Sequence, residues 1–424
     1  MSQHARSSFS ALRYSNFRAF WLGNLVSGCG TWMQNLAQGW LLLKLSNSVF
    51  LLGVAGFASL VPMLIFSLFG GSLADRLDRR KMLIGCQIGL MLSALLLAVL
   101  TSTHLLTSSG LIAIILLTGT GTALSSPAYQ ALIADLVPAE ALTPAIALNS
   151  VQFNVARIVG HSVAGLAVIM VGEAGCFYIN ALSYLAMIYG VWRISVRQTQ
   201  RPSVNSLHGM IMEGITYVRQ RPSMLSLILT VGCASFFGLP YFFLLPAFGR
   251  DVLHKGPREL GYLMAAVSVG ALAAALLMPA CTRAFGKQRV RKVANLLFWL
   301  CLVAFSISRQ YWLSVLLLIF VGLTLVLTLS TVNNLLQVLA APGMRGRVMS
   351  MNGMATNGTA PVGALIAGAV AQRFSPPTAV ASMSLVGLLF TAILVRASAD
   401  DYGERNAFSL NLYGKRSAAP DESS

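Results

Sequence analysis

Along this chain a run of about 20 apolar residues recurs twelve times, the length at which a helix crosses roughly 30 Å of bilayer hydrocarbon. The runs fall near residues 18–43, 49–73, 82–100, 110–133, 144–172, 175–192, 223–248, 260–281, 293–308, 311–338, 347–371 and 377–396. A water-soluble core would instead need polar faces alternating with apolar ones at helical or strand period. Only 10% of the residues are charged and 56% are hydrophobic, against roughly 25% charged in soluble domains, so this chain cannot clothe a surface in water. The expected fold is an all-α integral membrane protein with twelve transmembrane helices.

A formal charge of +17 raises the question of nucleic acid. The basic residues are scattered over short connections rather than gathered in a stripe with aromatics, so no nucleic-acid partner is expected. They report topology instead. Lys44, Arg250, Lys255, Arg258, Arg309 and Arg373 fall on one side of the expected spans and Arg157 inside one, while all the rest of the 30 Lys and Arg residues fall on the side of the termini. The positive-inside rule then places both termini in the cytoplasm. The six cysteines stand singly in or beside apolar runs, with no CxxC and no metal-ligand spacing, so no metal or cofactor is expected. The first 16 residues lack the apolar core of a signal peptide.

The longest internal connection divides the chain. The expected organisation is a cytoplasmic segment (1–17), a six-helix bundle (18–192), a linker (193–222), a second six-helix bundle (223–396) and a disordered cytoplasmic tail (397–424). Within the linker, Leu207, Met210, Ile211, Ile215 and Val218 recur at helical spacing, as in an amphipathic segment lying at the membrane surface or a plain connecting helix. The halves echo each other weakly: a shift of 204 lays Pro138 on Pro342, Gln130 on Asn334 and Ala156 on Ala360. Such parallel repeats are a signature of transporters.

The strongest local motif is GGSLADRLDRRK, residues 70–81, at the end of the second run. Paired glycines allow close helix approach, Asp75 can accept from a neighbouring helix end, and Arg79, Arg80 and Lys81 remain in water. This stretch resembles the loop between helices two and three of the major facilitator superfamily, departing from it at Asp78, where that pattern has Gly. The resemblance implies the major facilitator fold, with two six-helix halves, and a cytoplasmic gating latch formed by Gly71, Asp75, Arg76 and Arg79. NFRAFWLGNLVSGCGTWMQNLAQGWLLLKL, SSPAYQALIADLVP and NVARIVG are similar to the drug, macrolide and siderophore exporters called transmembrane secretion effectors, across residues 9 to about 396. By that resemblance the chain is a monomer in the bacterial inner membrane that exports amphiphilic small molecules by alternating access, coupled to protons. Two departures stand against antiport of the common kind: GHSVAG replaces a Gly-Pro sequence in the fifth run, and LLT precedes GTG where many antiporters carry Arg.

Polar stripes within runs should face protein or a water-filled cavity, because an unpaired polar group in hydrocarbon costs several kcal/mol. One stripe comprises Asn24, Ser27, Thr31, Gln34, Asn35 and Gln38, a second Thr118, Thr122, Ser125 and Tyr129, and a third Thr324, Thr328, Thr331, Asn334 and Gln337. Gln34, Gln38, Asn334 and Gln337 are the expected cavity-lining groups, for a neutral or weakly charged, partly apolar cargo, while Trp32, Trp40, Phe236, Phe237 and Tyr241 are each either aromatic cavity surface or a packing residue or interface anchor. The fifth run holds Arg157, with His161 one turn on and Ser150 and Asn154 on the same face. A cation inside a span is a functional candidate by default. Two assignments stay open for Arg157: a cargo-binding group, alongside Asn154, or a structural cation that bonds helix-end carbonyls or reaches Asp135. The acidic residues all fall at run ends, in loops or in tails, leaving Asp75, Asp135, Glu173 and His161 as proton-coupling candidates, foremost Asp135 and His161. No phosphate loop or nucleophilic triad is present, so the chain is not expected to be an enzyme. A lipid or lysolipid flippase of the same fold is the alternative, ahead of a membrane-embedded enzyme or receptor.

Overall fold

The structure, a computed structural model, describes residues 10–76, 78–194 and 207–394. The side chains of residues 67–76 and 207–211 lie outside that description, as does the expected tail. Among the described residues ten helices are long and apolar enough to cross a membrane, and one of these, Ala139–Trp192, is two helices joined without a loop. The join is Gly172, at φ 72° and ψ 177°, a region essentially open to glycine alone. Ser15–Ser46 completes the set of twelve; its polar stripe lowers its hydropathy, not its length.

The spans are labelled in order: α1 (Ser15–Ser46), α2 (Val49–Arg76), α3 (Arg79–Ser102), α4 (Ser108–Asp135), α5 (139–171), α6 (173–192), α7 (Pro222–Val252), α8 (Pro257–Phe285), α9 (Lys287–Ile307), α10 (Tyr311–Leu339), α11 (Arg345–Arg373) and α12 (Pro376–Leu394). Their boundaries follow local chemistry. Asp78 caps α3 by accepting from the amides of Arg80 and Lys81, and Thr107 caps α4 through Gly110. Asn47 ends α1 in the left-handed conformation, a position Asn tolerates well. Pro240 and Pro246 remove amide donors from α7, which answers with π-helical turns at Ala234–Gly238 and Phe248–Val252.

Within the first six helices α2 packs on α4, and within the last six α8 packs on α10, so the second helix meets the fourth in each set. Between the sets α2 packs on α11 and α5 on α8. Each pairing thus joins the second helix of one set to the fifth of the other, the pattern of a two-fold axis between related halves. The bundle has a linker end, where the connection between halves runs, and a far end, where α1 turns into α2. The linker helix Leu207–Arg219 docks on the second half, through an ion pair of Glu213 with Arg347 and through Tyr217, whose hydroxyl accepts from the Ala341 amide at 3.2 Å.

The halves touch closely from the midplane to the far end. A Cβ on Gly53 would lie 2.8 Å from the Gly368 Cα, and one on Gly165 would lie 2.6 Å from the Pro257 carbonyl oxygen, so α2 meets α11 and α5 meets α8 backbone to backbone. Gln372 accepts from the Ser48 hydroxyl and the Phe50 amide, each at 3.1 Å, and Arg250 donates to the Leu43 carbonyl at 3.3 Å.

Candidate functional site

A single turn of α5 lies at the meeting of the halves, near the middle of its helix. Arg157 donates from Nε to the Ser268 hydroxyl of α8 at 2.7 Å, a bond that crosses between halves at the midplane. Its guanidinium carbon stands 5.6 Å from the ring centre of Trp32 on α1, within cation–π range. His161, one turn further, is fully buried and has no hydrogen-bond partner at either ring nitrogen. It lies 5.3 Å from Trp32 and 5.9 Å from Phe242 on α7, ring centre to ring centre, and Phe153 closes on Trp32 edge-on at 5.5 Å. Four helices from both halves therefore converge on this turn, where the guanidinium meets a hydroxyl and the Trp32 ring and the imidazole meets Trp32 and Phe242. The geometry follows from helical period: 153, 157 and 161 share one face of α5.

Toward the linker end a half-buried Asn154 and an exposed Asn357 lie near the middle of α5 and α11, and each bonds to its own helix, to Ser150 and Gly353. Gln130 and Gln337 are likewise exposed and bond within their helices, to Ser126 and Asn333. An amide carries more donors and acceptors than one such bond uses, and lipid offers none in return. On the linker side of Arg157 these groups call for water rather than lipid around them, which a cleft between the halves would supply.

Several expectations need correction. Gln34 does not face that cleft: it is buried against α6, where it accepts from Asn180 at 2.7 Å, with Ser183 bonded to Asn180 behind it. Gln38 is also buried, with its amide nitrogen unpartnered. Asn334 accepts from the Lys287 ammonium at 2.6 Å and lines a cleft of about 420 Å³ within the second half, beside Thr282 and Arg283. The stripe of α1 is used inside the first half at Asn24 too, which donates to Tyr129 at 2.7 Å and to Gln152 at 2.6 Å. Arg157 does not reach Asp135, which instead accepts from Arg79 at 2.8 Å, joining α3 to the end of α4. Glu173 pairs with Lys44 at 2.7 Å at the far end. Of the latch residues, Gly71, Asp75 and Arg76 have side chains outside the described residues; Arg79 is the member whose contacts are seen. Ser268, Phe153, Phe242 and Asn357 were not anticipated, since a lone Ser, Phe or Asn in a span carries no directional signal.

The sequence profile of the transmembrane secretion effector family matches residues 6–417. The chain is 23% identical to the multidrug efflux pump Tap of Mycolicibacterium fortuitum over 88% of its own length and 93% of Tap. It is also 23% identical to the staphyloferrin A transporter of Staphylococcus aureus, over 67% of this chain and 72% of that one, and to macrolide efflux protein A of Streptococcus pyogenes, over 85% and 91%. Among solved structures, a point mutant of the nucleoside transporter NupG superposes with a TM-score of 0.74 at 13% identity, across 89% of this chain and 99% of that one. A two-fold arrangement of twelve spans, a polar site at the midplane where the halves meet, and a profile match over nearly the whole length agree: the chain is a multi-pass membrane transporter of the major facilitator fold, not an enzyme, and belongs to the transmembrane secretion effector family.

Proposed function

We propose that this transporter exports partly apolar small molecules of drug, macrolide or siderophore type from the cytoplasm of a bacterial cell, across the inner membrane, by alternating access. The observation that carries this reading is the midplane site, where α1, α5, α7 and α8 meet at Arg157 beneath a closed far end. The excess of Lys and Arg on that side supports a cytoplasmic linker end. On that orientation the protein stands with its site closed to the outside and approached from within, the loading state of an exporter. Trp32, Phe153 and Phe242 give the cargo an apolar surface, and Arg157 and Asn154 give it polar partners. Rocking of the halves would break the α2–α11 and α5–α8 contacts and release cargo outward. Proton coupling is part of the proposal, carried over from the family; the chain acts as a monomer.

The reading is tested by measuring accumulation of macrolides, siderophores and amphiphilic dyes in cells with and without the gene, each with and without a protonophore. Lower accumulation that the protonophore restores is the expected result. Accumulation unchanged by the gene for every compound overturns export of these classes.

A further inference from the structure

Arg157 is a cation with no counter-ion among the described residues. On its own helix the nearest acidic residue is Glu140, about 25 Å away along the axis, and Glu173 lies beyond the break at Gly172, at the start of α6. The other described carboxylates lie at helix ends or beside them. Asp135 is taken by Arg79, Glu173 by Lys44, Asp251 by Arg250 and Glu213 by Arg347, while Glu259 accepts from the amide of Gly256. Among the described residues, then, no carboxylate reaches the midplane. The guanidinium makes one hydrogen bond, from Nε, and that bond goes to a neutral hydroxyl. Both Nη groups, which carry four of its five donors, make no bond to the described protein. The Trp32 ring beside it supplies a weak attraction and no acceptor for those donors.

A charge in this position costs several kcal/mol unless something compensates it. A purely structural arginine would be expected to commit its donors to carbonyls or a carboxylate, as Arg79, Arg80 and Arg250 do here. Arg157 keeps its planar fork free beside Trp32, whose ring in turn meets Phe153 and the unpartnered buried imidazole of His161, with Phe242 beyond. That fork matches a carboxylate, sulfonate or phosphate, which can take two parallel N–H donors at once.

We propose that the cargo is an amphiphilic anion, whose acidic group docks on the free edge of Arg157 while its apolar body lies against Trp32, Phe153 and Phe242. This deepens the export reading and rests on it. It narrows the expectation of a neutral or weakly charged cargo to one with a formal negative charge at one end. It also assigns Ser268 the task of aiming the guanidinium: with Nε held from the second half, the two Nη groups are presented to the cleft. The bound anion would then be gripped by a residue of the first half that is itself tied to the second, so cargo occupancy reaches the contact on which rocking depends.

The test uses two dyes of one skeleton, neutral N-phenyl-1-naphthylamine and its 8-sulfonate, with ethidium as a cation. Uptake is measured in energised inside-out vesicles carrying the full chain, with vesicles lacking it as background. The sulfonate should be taken up at least about tenfold faster than the neutral dye or ethidium, the scale of one charge-assisted hydrogen bond. Arg157→Gln should abolish that ratio and Arg157→Lys should keep most of it. Because the readout is a ratio within one preparation, loss of folded protein cancels from it. Uptake of the neutral dye or of ethidium in preference to the sulfonate, or a ratio that survives Arg157→Gln, overturns the anion inference and leaves export standing. Uptake of none of the three overturns both.

Discussion

Arg79 and Asp135 form an ion pair at 2.8 Å with 11% and 17% of their side chains exposed, which places it between a surface pair of little worth and a buried one. It ties the start of α3 to the end of α4. Asp135→Asn should lower stability by about 1–3 kcal/mol, since it leaves the arginine without its carboxylate. Thermal unfolding of the detergent-purified protein measures this, with Arg79→Ala and the double variant completing the cycle. Effects that simply add would mean the pair contributes nothing. The sequence made Arg157 legible, because a charge in mid-span can hardly be accidental. It could not name Ser268, since serines in spans commonly bond their own helix, as Ser93 and Ser150 do. Periodicity placed Gln34 and Asn334 on polar stripes correctly. A stripe says which residues share a face and not what that face meets, and both amides meet partners inside their own half.

Between elements, the contact of α2 with α11 depends on side chains that are absent. A Cβ on Gly368 would lie 2.9 Å from the Gly53 Cα, closer than carbon atoms can pack. Gly368→Val should therefore push the halves apart at the far end while leaving each half folded. With Gln372→Cys as a reporter, labelling by a membrane-impermeant maleimide from outside should speed up several-fold over the Gly368 background. Unchanged labelling would mean that α2 and α11 do not close the far end. The apolar runs located the helices, but the caps at Asp78 and Thr107 and the break at Gly172 set their ends and were not read from the sequence. The π-helical turns of α7 were not read either, because proline marks a lost donor without saying how the backbone will re-pair.

At the scale of the whole molecule, the exchange of partners between halves, second helix with fifth and fifth with second, gives two seams, the contacts about which the proposed rocking would turn. Ser48 and Gln372 touch across one of them at 3.1 Å. Joining Ser48→Cys to Gln372→Cys with a short bismaleimide should stop transport without preventing cargo binding from the linker end. Full transport by the linked protein would rule out rocking about these seams. The number of spans could be counted from the sequence, and their direction inferred from charge. Which helices pair across the halves could not be, since α2 and α11 are brought together by the assembly of all twelve and by no local signal.

At its glycines the far end brings carbonyls and α-carbons of opposed helices together with no side chain between them, and this has an electrical consequence. A cell membrane holds about 2.3 kcal/mol per elementary charge for every 100 mV across it, and any thread of water through a transporter would let ions dissipate that energy. Side chains flicker between rotamers on nanosecond scales, whereas apposed backbone has little freedom to do so. Glycine contacts such as Gly53 with Gly368 and Gly165 with Pro257 thus serve as insulation, letting a chain with a cation at its core sit in an energised membrane without short-circuiting it.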